Sequence, residues 1–195
     1  MGTTALMVMD FQVGVVERFA DRTRPLLETL AAATAAARNA GLPVVFVRVA
    51  FRPGAPEVSA RNKAFAALAS SPALGAMGEG DPLTAVHPAL DPRPGEVVVT
   101  KRRVSAFAGS DLDVVLRSLD VTTVVLAGIA TSGVVLSTLR QAADLDFGCT
   151  VLSDCCADAD DEVHRVLLEK VFPRQAAVLT AAEWAGGLER TAPAG

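Results

Sequence analysis

Residues 123–138 read Thr-Val-Val-Leu-Ala-Gly-Ile-Ala-Thr-Ser-Gly-Val-Val-Leu-Ser-Thr. The run up to Ala127 is apolar enough for a strand buried on both faces. A glycine-bearing turn follows at Gly128, and then a helix that opens on small and hydroxyl residues. Working outward, the same strand–turn–helix unit recurs. Strands are expected at Thr4–Met9, Val44–Val49, Glu96–Thr100, Val121–Ala127, Cys149–Leu152 and Ala176–Leu179. Helices are expected at Thr23–Ala40, Asp111–Ser118, Ser132–Asp144 and Asp160–Phe172, with a short one after Thr180. Gly41-Leu42-Pro43 ends the first helix and restarts the chain as a strand. The alternation predicts a three-layer α/β/α fold with a mostly parallel, Rossmann-like six-stranded sheet.

The whole chain, residues 1–195, reads as one domain. Residues 50–91 break the rhythm, carry many of the prolines and glycines, and read as a long loop excursion with one short helix near Lys63–Ser70. Long loops of this kind are often functional covers. The tail, residues 186–195, reads as flexible.

The chain is 51% hydrophobic, which argues for a folded rather than a disordered chain. A net charge of −4 gives no electrostatic case for a nucleic-acid partner. No apolar run approaches the roughly 20 residues of a membrane span, so no membrane partner is expected. The first strand begins without a basic region or cleavage site ahead of it, so no signal peptide is expected. The three cysteines, Cys149, Cys155 and Cys156, form no disulfide framework, and a cytoplasmic location is the simplest expectation.

In an open parallel sheet, ligands bind at the carboxyl ends of the strands. Asp10 follows the first strand, Arg48–Arg52 the second, Lys101 the third and Ile129–Val134 the fourth; the pair Cys155-Cys156 follows the fifth. Asp10, at the end of a buried strand, must be solvated, paired or used; a plain loop-capping role is the alternative. Gln12 is either a ligand-facing amide or a turn residue. Lys101 is the cation nearest the rim, where it would keep Asp10 ionised and stabilise developing charge. Arg102 and Arg103 read as a solvated turn. Phe107 either walls a pocket or fills the core. Backbone amides around Thr131, Ser132 and Gly133 are suited to an anion or oxyanion, while capping by Thr131 or Ser132 is physically sufficient for the helix start. Val134 taken alone is an ordinary core residue. Cys155 and Cys156 read as structural, because a reactive thiol needs a lowered pKa and a base nearby. Asp158, Asp160, Asp161 and Glu162 read as acids at a helix start. His164 follows them on the same helix and is expected to be exposed. His87 and His164 lack metal-ligand spacing, so no metal and no cofactor are expected.

Taken together, these segments resemble the isochorismatase-like cysteine hydrolase superfamily, from Ala5 to about Ala177. Ala-Leu-Met-Val-Met-Asp-Phe-Gln is similar to the family's first-strand motif and puts the catalytic aspartate at Asp10. Lys-Arg-Arg-Val-Ser-Ala-Phe is similar to its lysine motif and puts the catalytic lysine at Lys101. The pattern G-x-x-T-x-x-C-V-x-x-T is matched by Gly128, Thr131, Val135 and Thr138, but Val134 stands where the family has its nucleophile. The resemblance also implies a cis peptide between Ile129 and Ala130. The metal-binding acid and histidines of the family's nicotinamidase branch have no match after Val49. True isochorismatases lack the cysteine too, and cleave a vinyl ether with a proton donor and water. The resemblance therefore implies a hydrolase acting on a small molecule without a cysteine nucleophile, with Asp10 as general acid. Lys101 would stabilise charge, and Gln12, Arg48, Arg52, Phe107 and the stretch Ile129, Ala130, Thr131, Ser132 and Gly133 would bind substrate. It also implies a homo-oligomer, dimer or tetramer. The alternatives are a catalytically silent binding or scaffold protein, and an amide hydrolase using a displaced Cys155 or Cys156.

Overall fold

Two strands of almost wholly buried residues form the centre of the sheet: β1 (Thr3–Met9) and β4 (Val121–Ile129). The computed structural model describes residues 2–69 and 77–191. With β2 (Val44–Val49), β3 (Val97–Lys101), β5 (Gly148–Ala157) and β6 (Ala177–Leu179), these strands form one six-stranded sheet in the order β3-β2-β1-β4-β5-β6. Every neighbouring pair is parallel.

Side-chain alternation along the strands feeds two cores. Met7, Met9, Val45, Val47, Val124 and Leu126 face one layer; Leu6, Val8, Val44, Phe46, Val125 and Ala127 face the other. The second layer is built by α1 (Val13–Arg18), α2 (Ala20–Asn39) and α7 (Ala181–Thr191), through Val16, Leu30, Ala33, Ala37 and Trp184. The first is built by α4 (Leu112–Ser118) and α5 (Leu136–Asp144), with Leu167 and Phe172 from the segment after α6 (Asp161–Val166). The three layers and the Rossmann-like order are those the sequence pattern predicts.

Several boundaries differ from expectation. α1 was not anticipated: it is short, contains Gly14 and buries only Val16, so its periodic signal is weak. The helix expected from Ser132 opens as a π turn, Thr131–Val135, before α5. The helix expected over Asp160–Phe172 is α6, then a π turn at Leu167–Val171 and a 3₁₀ turn at Phe172–Arg174. β5 runs five residues beyond Leu152 to Ala157, so Cys155 and Cys156 lie inside the strand rather than after it. α7 carries helix to Thr191 where a flexible tail was expected from residue 186; residues 192–195 lie outside the described residues.

The excursion contains α3 (Lys63–Ala69), and Ser70 lies outside the described residues. Val49, Phe51 and Phe65 form a small third core there, packed by Ala55, Val58 and Met77. The Phe51 and Phe65 rings meet edge to face, 5.8 Å apart.

From β1 the chain steps outward to β2 and β3, then returns to place β4 on the other side of β1. This reversal is the topological switch point, where the loops leaving β1 and β4 diverge and open a crevice. Met9 is in register with Gly128, so Asp10 and Ile129 are the next residues of adjacent strands at that crevice.

Candidate active site

Asp10 leaves β1 with a left-handed φ of 60°, a conformation that aspartate tolerates better than most residues. Its amide donates to the carbonyl of Val47, 2.8 Å away. Lys101 is the last residue of β3, and β2 lies between it and Asp10. Two strand spacings of ~4.8 Å therefore separate the backbones, a span suited to a lysine stem. The Lys101 ammonium ends 2.9 Å from Asp10 Oδ2 and also donates to the carbonyl of Arg103 at 3.1 Å. Both side chains are buried, at 4% and 9% exposure for Lys101 and Asp10. Among the described residues, Asp10 Oδ1 is buried with no hydrogen-bond partner. Burial pushes the Asp10 carboxyl above its ordinary value, and outweighs the opposing pull of the Lys101 charge and hydrogen bond.

Gln12 braces the rim. Its Nε2 donates to the carbonyls of Val49 and Thr84, both at 3.0 Å, and its Oε1 accepts from the amide of Val49 at 2.8 Å. Arg48 pairs in register with Thr100 and donates to its hydroxyl at 3.1 Å. Strand alternation puts it on the sheet face opposite Lys101. Arg52 is exposed and paired with Glu57. Lys101 is thus the cation that meets Asp10.

Arg102 and Arg103 are not the solvated turn that was expected. Arg102 is largely buried; it donates to the carbonyl of Ala50 at 2.6 Å and to Glu57 at 3.2 Å, and pairs with Glu79. Arg103 donates to the carbonyl of Glu57 at 2.9 Å and lies over the Phe65 ring. Together they fasten the excursion to the strand end that carries Lys101. Phe107 belongs to the core, with its ring 6.0 Å from Phe147.

At the end of β4 the Ile129–Ala130 peptide is cis. Gly128 is needed for a close approach: a Cβ there would sit 3.0 Å from Val135, 3.1 Å from Val134 and 3.2 Å from the carbonyl of Met9. Neither Thr131 nor Ser132 caps the helix start. The Thr131 hydroxyl meets His164 Nδ1 at 2.8 Å, and the Ser132 amide donates to Asp158 Oδ2 at 2.6 Å. The amides of Gly133 and Val135 return to the carbonyl of Ala130 at 3.1 and 3.3 Å. Burial alone would raise the Asp158 carboxyl, but hydrogen bonds from Ser132, Asp160 and Ala159 hold it below its ordinary value. His164 is half-buried rather than exposed, a difference that a pattern of surrounding acids does not reveal.

With this geometry in view, the isochorismatase domain family matches residues 4–183. The chain belongs to the isochorismatase family. It is 33% identical over 172 residues to an isochorismatase family protein of Bacillus subtilis, covering 88% of this chain and 86% of the relative. It is also 33% identical over 214 residues to the ureidoacrylate amidohydrolase RutB of Methylobacterium radiotolerans, covering 99% and 83%. Among solved structures, a cysteine hydrolase from Pseudomonas syringae pv. phaseolicola superposes with a TM-score of 0.87 at 25% identity, covering 96% of this chain and 92% of that one.

Within this isochorismatase-family chain, Val134 is 2% exposed and packs in the same core as Val135, Phe107 and Cys156. No cysteine stands at the family's nucleophile position. Cys155 and Cys156 are buried on opposite faces of β5, in the two different cores. Burial, with the charge of Asp154, pushes the Cys156 thiol up to about 12 and the Cys155 thiol further still. Cys149 is half-buried, and burial raises its thiol as well. Among the described residues, no group of three or more His, Cys, Asp or Glu side chains is placed to hold a metal ion. No described helix is long and apolar enough to cross a membrane.

Proposed function

We propose that this isochorismatase-family hydrolase cleaves a small-molecule vinyl ether without a cysteine nucleophile, using Asp10 as general acid. The reading is carried by one observation: a buried carboxyl with raised pKa, held at Oδ2 by Lys101 and unpaired at Oδ1. A general acid must hold its proton near neutral pH and present it to the substrate. Oδ1 is the oxygen free to do so. It gives its proton to the terminal alkene carbon, and the adjoining carbon becomes an oxocarbenium ion. Water adds to that carbon, and the hemiketal collapses to a ketone and an alcohol. The Asp10 carboxylate left behind is stabilised by Lys101 until a proton from water restores it. Val134 supplies no nucleophile and no proton, and a vinyl ether needs neither from it.

The named relatives include amidohydrolases of ureidoacrylate and maleamate. Amide cleavage through a displaced thiol is poorly supported here, because Cys155 and Cys156 are buried and hard to ionise. A screen of enol ethers, including isochorismate, beside simple amides tests the reading. Turnover of an enol ether that falls about 10²–10⁴-fold in Asp10→Asn is expected. Undiminished turnover in that variant, or ligand binding without turnover in the wild type, refutes the acid role.

A further inference from the structure

The end of β5 and the short helix α6 each hold the turn after β4 at one point. Asp158, one residue past β5, receives the Ser132 amide, and His164 receives the Thr131 side chain. Thr131 is wholly buried, and among the described residues its hydroxyl has this one partner. A buried hydroxyl hydrogen left without an acceptor is costly. The arrangement is therefore satisfied when Thr131 donates to Nδ1 and the ring carries its proton on Nε2. The gripped turn leads directly to Val134 and Val135, whose methyl groups close on Gly128, and Gly128 is in register with the residue before Asp10.

We propose that His164 is a positioning residue for the Asp10 site: its neutral imidazole holds the Thr131 hydroxyl, and its protonation releases the turn that carries Val134. The proposal rests on the reading of that site given above. An imidazolium has two N–H donors and no acceptor, so the bond to the Thr131 hydrogen is lost. The charged groups that face the ring are Asp158 from the end of β5, Asp161 from its own helix and Arg22 from α2. Burial favours the neutral ring most, Arg22 adds to this, and the two carboxylates oppose it; the net direction is downward. The unfolded chain therefore takes up the proton first as pH falls below ~6.5. The stability that this contact contributes is complete above that pH and is lost as pH drops through the lower folded value.

The chain has two histidines, so imidazole titration by NMR is simple to assign with one His87 variant. His164 is expected to titrate below the ordinary histidine value, and Thr131→Val to move its midpoint upward, because the neutral ring then loses its hydroxyl donor. The Val134 methyl resonances should follow the His164 titration in the wild type. His164→Leu should displace them at every pH. His164→Asn, which puts an amide oxygen near the place of Nδ1, should restore them and abolish the acid transition. Val134 resonances indifferent to His164 titration, or a midpoint unmoved by Thr131→Val, overturn the proposal. If His164→Leu does not fold, the wild-type titration and the Asn variant still decide. These readouts need no substrate: should they hold while no enol ether is turned over, the positioning role stands and the hydrolase reading alone fails.

Discussion

Replacing Lys101 with methionine keeps an apolar stem of similar length and removes the charge 2.9 Å from Asp10. What remains is a carboxyl at the end of β1 that is buried from water and has lost the partner that Oδ2 has among the described residues. Breaking a buried pair in this way costs about 3–5 kcal/mol when the survivor stays charged. The carboxyl can escape part of that cost by keeping its proton, and burial already raises its pKa in the wild type against the pull of Lys101. Without Lys101 it rises further. Above the folded wild-type value, the wild-type Asp10 ionises beside Lys101 while the variant's carboxyl keeps its proton. Stability falls as pH rises, with a limiting slope of about 1.4 kcal/mol per pH unit for one proton. The loss relative to the wild type therefore opens only above the wild-type value and is capped by the roughly 3–5 kcal/mol of a broken buried pair.

The expected result is a Lys101→Met variant close to wild-type stability at pH 4 and progressively weaker than the wild type as pH rises, by about 3–5 kcal/mol at most, measured by urea unfolding from pH 4 to pH 9. The loss at high pH should be recovered in large part in the double variant Asp10→Asn, Lys101→Met, which has no charge to strand. A Lys101→Met penalty that does not change with pH, or a double variant as weak as the single one, would refute the reasoning, because either result means the two side chains do not depend on each other.

Gln12→Leu keeps the bulk but leaves the amide and carbonyl of Val49 and the carbonyl of Thr84 without their side-chain partner. It should destabilise the fold by about 3 kcal/mol or more in chemical denaturation, since each of the three stranded buried groups costs about 1–3 kcal/mol; ligand affinity lost at unchanged stability would instead make Gln12 a binding residue. Gly128→Ala puts a methyl group 3.0 Å from Val135 and 3.2 Å from the carbonyl of Met9. About 1–3 kcal/mol of overpacking cost is expected, with movement of the Val134 resonances. Thiol alkylation of the folded protein at pH 8 should be slow at Cys155 and Cys156 and leave any hydrolytic activity intact; rapid inactivation that maps to either residue would reinstate the displaced nucleophile.

The meeting of Asp10 and Lys101 is legible in the sequence because each ends a run of buried apolar residues, and a parallel sheet brings such ends to one rim. Face assignments are less legible. Val44-Val-Phe-Val-Arg-Val49 is apolar at nearly every position, so nothing in the run tells which face Arg48 takes, and the pairing with Thr100 settles it. The sequence pattern ends β5 at Leu152 because Ser153-Asp154 interrupts its apolar run, although the strand continues to Ala157 and Asp154 receives the amide of Ala181. The braces were not legible at all. Gln12 depends on partners 37 and 72 residues away, and Thr131 on one 33 residues away. Polar side chains of this kind carry no periodicity, and their roles exist only once the distant backbone is in place.

Val134 and the protonation of Asp10 bear on each other. Where a cysteine hydrolase has its thiol, a carboxylate nearby is useful as a base, and a cationic neighbour that keeps it ionised helps. Here the position holds a hydrocarbon that offers no proton to remove. The carboxyl is buried, its environment favours the neutral form despite Lys101, and one oxygen is left without a partner. A base with nothing to deprotonate has no task, whereas an acid with a free oxygen has one. The same aspartate and lysine can thus serve opposite proton-transfer roles on one scaffold, with the dielectric around the carboxyl deciding between them. Val134→Cys is the direct comparison. If the environment sets the role, the cysteine variant should keep enol-ether cleavage and its new thiol should stay as hard to ionise as Cys156; a thiol that titrates below the two buried ones would show that residue 134, not the dielectric around Asp10, decides it.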